Sequence, residues 1–382
     1  MITISLCMIV RNEQDCLVRC LSSVKGIVDE IIIVDTGSTD NTKLIAKDFE
    51  AIVEDFPWID DFAAARNFSF SKATKEYVLW LDADDVIEEQ DYLNLAELKR
   101  TLTPDYHSIS MGYNLTFDKE GNVLTSLRRN RMVRRECDFK WVGAVHEYLQ
   151  VSGKTLHSNV NITHKKNKQF TDRNLRIYQG KVARGDEFTP RDLYYYANEL
   201  RDHRMYQEAA EYYVRFLETG QGWIEDNYQA CLKLSECYQN LQDKERQFQA
   251  LCKTLQYDKP RCDFCCRIAA YFFEERRFQQ AIYWNQMAIC LPEQDQSMGM
   301  KNAAASTWLP QLQLCLCYDR LGEYQKANYH NELGLGFSPT HQSMLYNRAY
   351  FQKLLGDQYV SLATIIQSQN HKMTDAGELL SP

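Results

Sequence analysis

Asp82, Asp84 and Asp85 follow the apolar run Val78–Leu81 in the stretch VLWLDADDV. A short β-branched and aromatic run of this kind reads as a central strand covered on both faces, so the carboxylates stand where a buried strand ends. Carboxylates beside a core need a partner that neutralises them. A divalent cation does so most simply, because paired hard oxygens suit magnesium or manganese, which bind through one or two carboxylates and the phosphates of a substrate. The competing reading is a polar turn followed by an acidic helix cap, and this stretch alone does not choose between them.

The elements that must position these groups lie upstream. Ile2 to Val10 reads as a first strand closed by Arg11-Asn12-Glu13, and Asn12 can cap a helix whose Cys16, Leu17, Cys20, Leu21 and Val24 recur at helical spacing. A second apolar run, Ile31 to Val34, ends in DTGSTDNT. There Asp35 sits at a strand tip, Gly37 allows a tight turn, and Ser38 or Asp40 can cap the helix running on through Leu44, Ile45 and Phe49. This alternation implies a parallel α/β sheet with its crevice at the carboxyl ends of the strands. Acidic groups around such a crevice, with helix N-termini close by, suit a nucleotide held partly through a metal. The chain has neither GxGxxG after the first strand nor GxxxxGK[ST] anywhere, which disfavours a dinucleotide dehydrogenase and a P-loop NTPase.

Length and composition bound the rest. A chain of 382 residues, 45% hydrophobic and 25% charged, is an ordinary globular protein of two to three domains. Its net charge of −8 argues against general nucleic-acid binding. The 13 cysteines are odd in number and spread along helical and strand patterns, which reads as reduced thiols. CDFCC at 262–266 has one CxxC and no second pair at zinc-ribbon spacing. The N-terminus lacks a basic region ahead of its apolar run, and no stretch reaches the ~20 apolar residues of a membrane span, so a cytoplasmic, soluble protein is expected.

The second half repeats. Residues 165–190 read as a linker, and beyond it F/Y-x-x-A recurs at Tyr206/Ala209, Phe278/Ala281 and Tyr324/Ala327 within successive helix pairs that also hold Tyr195, Ala197, Leu200 and Phe216. Ala209 and Ala281 are 72 residues apart, two repeats of tetratricopeptide length, with Pro260, Pro292 and Pro339 at repeat ends and EQDQSMGMKNAAAS as an insertion before the last repeat. Such pairs bury aromatic and small residues against their neighbours, leaving a curved surface that can hold a peptide or protein or pair two copies as a homodimer. The expected domains are 1–185, α/β, and 186–382, all-α helical repeats.

Five motifs in order, IVRNE at 9–13, VDTGSTDNT at 34–42, DFAAARN at 61–67, LDADD at 81–85, and RMVR followed by GAVHE within 131–147, resemble glycosyltransferase family 2, of the GT-A fold. Their order and spacing are similar to the bacterial branch that joins a GT-A head to helical repeats and includes the sublancin S-glycosyltransferase. The resemblance implies a nucleotide-sugar donor, usually a UDP-sugar, and manganese or magnesium. By position it implies that Asp35 meets the nucleobase, that Val10, Arg11 and Glu13 lie along the nucleoside, and that Arg66 and Asn67 stand beside base and diphosphate. It makes Asp82, Ala83 and Asp84 the DxD segment, Asp82 near ribose and metal and Asp84 on the metal, and His164 a late metal or diphosphate ligand. Asp85 is then an extra carboxylate or a helix cap.

Transfer from such a donor builds positive charge on the sugar and negative charge on the departing diphosphate. LRRNRMVRR supplies Arg128, Arg129, Arg131, Arg134 and Arg135, whose forked guanidinium groups suit phosphate, and Arg131 with Arg134 matches the family pattern. Inversion needs a general base, for which His146 and Glu147 in WVGAVHEYL are the candidates, one as base and one as orienting partner, with Gly143 and Ala144 leaving room for substrate. Trp58 and Trp141 can stack on sugar or base or simply pack in the core. The expected function is thus a metal-dependent inverting glycosyltransferase acting on a peptide, protein or glycan. The alternatives are a non-catalytic repeat scaffold with a decayed head, and a nucleotidyltransferase, which would normally open with a glycine-rich loop.

Overall fold

The computed structural model describes residues 1–118, 121–165, 172–292, 299 and 301–368. Contacts divide the chain into an α/β unit built on Met1–Arg204 and a helical unit built on Met205–Asp295 and the residues from Asn302 onward.

In the first unit, β1 (Ile4–Val10), α1 (Leu17–Val24), β2 (Glu30–Asp35), α2 (Thr42–Asp48), β3 (Ile52–Asp55), α3 (Phe62–Ser71) and β4 (Tyr77–Trp80) alternate as the hydrophobic pattern requires. The strands lie side by side and parallel in the order β3-β2-β1-β4. β1 has Ile4, Leu6 and Met8 fully buried on one face, against Leu17, Cys20, Leu21 and Val24 of α1. Its other face meets Trp80, Val78 and Val133 through Cys7. Burial on both faces explains why β1 and β4 read as continuous apolar runs.

The sheet is mixed, however, and the purely parallel expectation holds only for these strands. β5 (Asp85–Val86) and α4 (Glu89–Thr101) lead into β6 (Ser108–Phe117) and β7 (Val123–Arg134), a long antiparallel pair of which β7 also runs antiparallel to β4. β8 (Lys140–Val142) and β9 (Tyr148–Gln150) form a separate two-stranded ribbon, and β10 (Thr155–His164) returns parallel to β6. The last residues of β10 pair with β5, placing His164 opposite Asp85. α5 (Arg173–Arg184) and α6 (Pro190–Asp202), one on each side of the expected boundary at 185/186, both fall within this unit.

The helical unit follows the repeat pattern closely. α7 (Tyr206–Glu218), α8 (Ile224–Asn240), α9 (Lys244–Lys253), α10 (Cys262–Glu274), α11 (Phe278–Cys290), α12 (Ala303–Ser306), α13 (Trp308–Arg320), α14 (Tyr324–Phe337) and α15 (Gln342–Leu355) succeed one another, and α7, α11 and α14 begin at the F/Y of F/Y-x-x-A. Ala209, Ala281 and Ala327 are each 0% exposed, which is why a small residue recurs there. Two residues before α7, α9, α11 and α14 stand Arg204, Gln242, Arg276 and Gly322, all with φ between 56 and 75°. The left-handed turn therefore marks the repeat even at α9, where Gln247 occupies the place of the small residue. Much of the expected insertion, residues 293–298 and 300, lies outside the described residues. The cysteines are present as thiols. Among the described residues no helix is long and apolar enough to cross a membrane.

Candidate functional site

The carboxyl ends of β1, β2 and β4 meet at one edge of the sheet. At the tip of β2, Asp35 accepts through Oδ1 from the backbone N–H of Gly37 (3.0 Å) and Ser38 (2.9 Å). Gly37 has φ +104°, a conformation that favours glycine. The other oxygen, Oδ2, is buried and has no hydrogen-bond partner, although the residue is only 1% exposed. A buried carboxylate oxygen left in this state is costly unless a ligand N–H completes it. The Val10 carbonyl accepts from Thr36, and the segment after it is tied to the β2 loop. Asn12, at φ +54°, accepts from the Thr39 amide (2.8 Å) rather than capping α1, which begins at Leu17. The Glu13 amide donates to Thr42 and its side chain accepts from Cys16. Arg11 lines an open pocket of about 550 Å³ with Trp58, Asp60, Arg173, Arg176 and Ile177.

Beyond β4 the chain turns sharply, with Asp85 donating its N–H to the Asp82 carbonyl and accepting through Oδ2 from the Asp82 N–H (2.9 Å). Asp84, Asp85 and His164 offer ligand atoms within 4.8 Å of one another. His164 Nδ1 lies 3.5 Å from Asp84 Oδ1 and 3.6 Å from Asp85 Oδ1, both beyond hydrogen-bonding distance, while the Tyr113 hydroxyl lies 3.0 Å from the same nitrogen. Asp85 Oδ1 is buried without a hydrogen-bond partner. An orphaned carboxylate oxygen beside a second carboxylate and an imidazole fits a divalent cation. Burial, reinforced by Asp82 and Asp85, holds the Asp84 carboxyl above its usual range despite His164. The Asp85 carboxylate, with Asp84, pushes His164 upward against the effect of burial.

Arg66 connects this turn to the ribbon. It is 7% exposed and donates from Nη2 to Asp82 (2.7 Å) and from Nε to Glu147 (2.5 Å). Its guanidinium lies against the rings of both Trp80 and Trp141, 4.9 and 4.8 Å from their centroids. Arg131 also lies over Trp80, at 3.8 Å, and over Tyr113 at 4.3 Å. Stacked planes of this kind hold a cation where water is excluded. Burial alone would raise the Asp82 carboxyl, but Arg66 and then Arg131 outweigh it and hold it well below the usual range. α3 brings Arg66 here because Asp61 caps the helix by accepting from the Ala64 amide, while the Phe62 amide bonds the Ala144 carbonyl of the ribbon loop.

Several expected site residues are placed differently. Asp82, expected on the metal, ion-pairs with Arg66, and Asp85 takes the third place beside Asp84 and His164. Asp85 also neutralises Arg131, whose Nη1 it meets at 2.9 Å with both side chains 0% exposed, so Arg131 stands as an interior counter-charge to Asp85. Arg134 lies opposite Tyr77, at the other end of β4, where it bonds the Pro104 carbonyl and Glu136. Arg128 and Arg135 donate to backbone carbonyls, and Arg129 stacks over Tyr113. Asn67 spends both ends of its amide on the backbone of Trp141, fastening α3 to the ribbon. Trp141 is 4% exposed and packs inside.

His146 and Glu147 occupy the loop between β8 and β9, not a strand, and they diverge. Glu147 turns toward Arg66, whereas His146, at φ +52°, bonds Glu199 of α6 and stacks on Tyr195. Arg173, Arg191 and Glu199 were not singled out from the sequence, because nothing local in the helical patterns of α5 and α6 distinguishes them from surface or core positions.

Residues 5–148 match the model of glycosyl transferase family 2. The head carries a family 2 domain. Its similarity extends to a TPR repeat-containing protein of Synechococcus elongatus, 37% identical over 153 residues, which are 40% of this chain and 36% of that protein. The glycosyltransferase SunS of the SPbeta prophage of Bacillus subtilis is 30% identical over 223 residues, 55% of this chain and 52% of its own length. An uncharacterized glycosyltransferase of Rickettsia typhi is 38% identical over 87 residues, 23% of this chain and 30% of its own. The chain thus spans about half or less of the length of the relatives it matches. The matched residues end at 148, and α5 and α6 follow them within the same structural unit.

Proposed function

We propose that the protein is an inverting glycosyltransferase that moves a sugar from a nucleotide-diphosphate donor, a UDP-sugar, to an acceptor. The observation that carries this reading is that two orphaned buried carboxylate oxygens stand within the residues that match the family 2 model: Asp35 Oδ2 at the carboxyl end of β2, and Asp85 Oδ1 at the start of β5, opposite His164. Asp35 Oδ2 would accept from a nucleobase N–H, with Val10, Arg11 and Glu13 along the nucleoside. Asp84, Asp85 and His164 would hold manganese or magnesium, which when bound stabilises charge on the leaving diphosphate.

Arg66 keeps Asp82 ionised and presents Asp82 and Ala83 toward the donor. Glu147 is assigned as general base. Its carboxylate shares Arg66 with Asp82, which supports a place inside the crevice, whereas the Nε2 of His146 is engaged by Glu199. The helical unit, with its tetratricopeptide-like turns, favours a peptide or protein acceptor over a glycan. The cysteine thiols support a reducing, cytoplasmic setting. Pairing of two copies through the repeats belongs to the same proposal.

The test is calorimetric titration of a panel of nucleotide-sugars with manganese into the wild type and Asp84→Asn, followed by hydrolysis assays of any donor that binds. Metal-dependent binding of one UDP-sugar, lost in the variant, is expected. A folded wild type that binds no donor would leave a non-catalytic scaffold as the better reading.

A further inference from the structure

We infer that α6, outside the matched family 2 domain, belongs to the active-site machinery, and that Glu199 is a positioning residue that fixes the His146–Glu147 turn; this rests on the transferase reading above. His146 is a non-glycine residue at φ +52°. A side chain in that conformation persists only where its surroundings over-determine it. Here α6 supplies three restraints from one face, and Tyr178 of α5 adds a more distant ring contact at 6.4 Å. Arg191, Tyr195 and Glu199 recur four residues apart, so they stack on a single side of the helix. Arg191 donates from Nε (3.1 Å) and Nη2 (2.9 Å) to the His146 carbonyl. Tyr195 stacks on the imidazole with 4.4 Å between centroids and 17° between planes. Glu199 Oε1 meets His146 Nε2 at 2.7 Å.

Glu199 is itself held. Its side chain is 8% exposed, and Asn174 of α5 donates to the same oxygen at 3.2 Å. Burial opposes its ionisation, but the bond from His146 outweighs this and keeps the carboxyl below its usual range. With backbone carbonyl, ring and Nε2 of His146 all engaged, the peptide that leads into Glu147 is held in place. Glu147 reaches Arg66 at 2.5 Å, and Arg66 reaches Asp82 at 2.7 Å. A continuous chain of charge-assisted bonds and one peptide link thus runs from α6 to the aspartate at the end of β4. Glu199 touches no reacting atom in this scheme; it acts through His146 on Glu147.

The experiment uses the full chain and the donor identified by titration. Glu199→Ala is expected to lower kcat for transfer or donor hydrolysis by tenfold or more, with donor Kd within threefold of wild type. Glu199→Gln, whose amide oxygen still accepts from His146 Nε2–H, is expected to recover most of that loss. Hydrogen exchange of amides 143–147 is expected to accelerate in Glu199→Ala, while amides 30–38 at the donor side stay unchanged. Wild-type kcat in Glu199→Ala, or unchanged exchange at 143–147, would overturn the inference while leaving the transferase reading intact. So would loss of donor binding and turnover together in both variants, which is the signature of a merely structural role. A wild type that turns over no donor would overturn both.

Discussion

Arg66 and Glu147, 81 residues apart in the chain, meet at 2.5 Å beside two tryptophan rings that the guanidinium covers, and the same guanidinium holds Asp82. Two carboxylates that would otherwise repel are made neighbours by one buried cation. Removing it with Arg66→Ala leaves both unpaired, and breaking a buried pair in this way costs about 3–5 kcal/mol. Lysine offers a single point charge in place of two directed N–H groups, so Arg66→Lys is expected to fold but to lose most activity. Urea unfolding and donor turnover on both variants check this; an active Arg66→Lys would show that the two-pronged geometry is dispensable.

Glu147→Gln keeps the shape and can still accept from Arg66, but it cannot take a proton from an acceptor. Its kcat is expected to fall by about 10²–10⁴, the usual contribution of a general base, with donor affinity little changed. Single-turnover transfer with saturating donor measures it. Near-normal turnover would remove Glu147 from the role of base.

The two arginines expected as a phosphate pair are predicted to behave differently. Arg131→Ala would strand the 0%-exposed Asp85 carboxylate and cost about 3–5 kcal/mol of stability. Arg134→Ala disturbs a partly exposed pair with Glu136 and an exposed bond to the Pro104 carbonyl, and should cost about 1 kcal/mol and leave turnover intact. Parallel urea titrations distinguish the cases, and equal effects would contradict the placement of Arg134 at the far end of β4.

In the helical unit, His330 lies flat against Tyr318, bonds Gln311 at 2.8 Å, and is pushed down to about 4 by burial. Its folded value is below the ~6.5 of an unfolded histidine, so between those limits the unfolded chain binds the proton and the folded one does not. Stability contributed by neutral His330 is therefore present above about pH 6.5 and declines as pH falls toward about 4. His330→Gln should flatten the dependence between pH 7 and 5. Urea midpoints of the wild type and variant at both pH values test it, and identical slopes would rule His330 out as the source.

The first unit shows what could be read locally and what could not. The apolar runs of β1, β2 and β4 and the acidic residues at their ends were legible because a strand buried on both faces leaves a continuous hydrophobic signature. The antiparallel half of the sheet was not, since β6 and β7 interleave polar and apolar residues whose partners are set by pairing across the sheet. Asp85 illustrates the difference within a single motif. Its type and position were plain, but its pairing with Arg131, 46 residues away, is a fact of packing.

By itself, the sequence determined the class of the head, the acidic strand ends and the helical periodicity of the body, because each is written in residues close together along the chain. Only the tertiary structure decided which carboxylates gather with His164, which arginine is buried as a counter-charge, and that His146 and Glu147 part ways. Those outcomes depend on charges brought together from distant segments into a space without water. There, the cost of an unpaired charge selects the partner, and no local pattern records it.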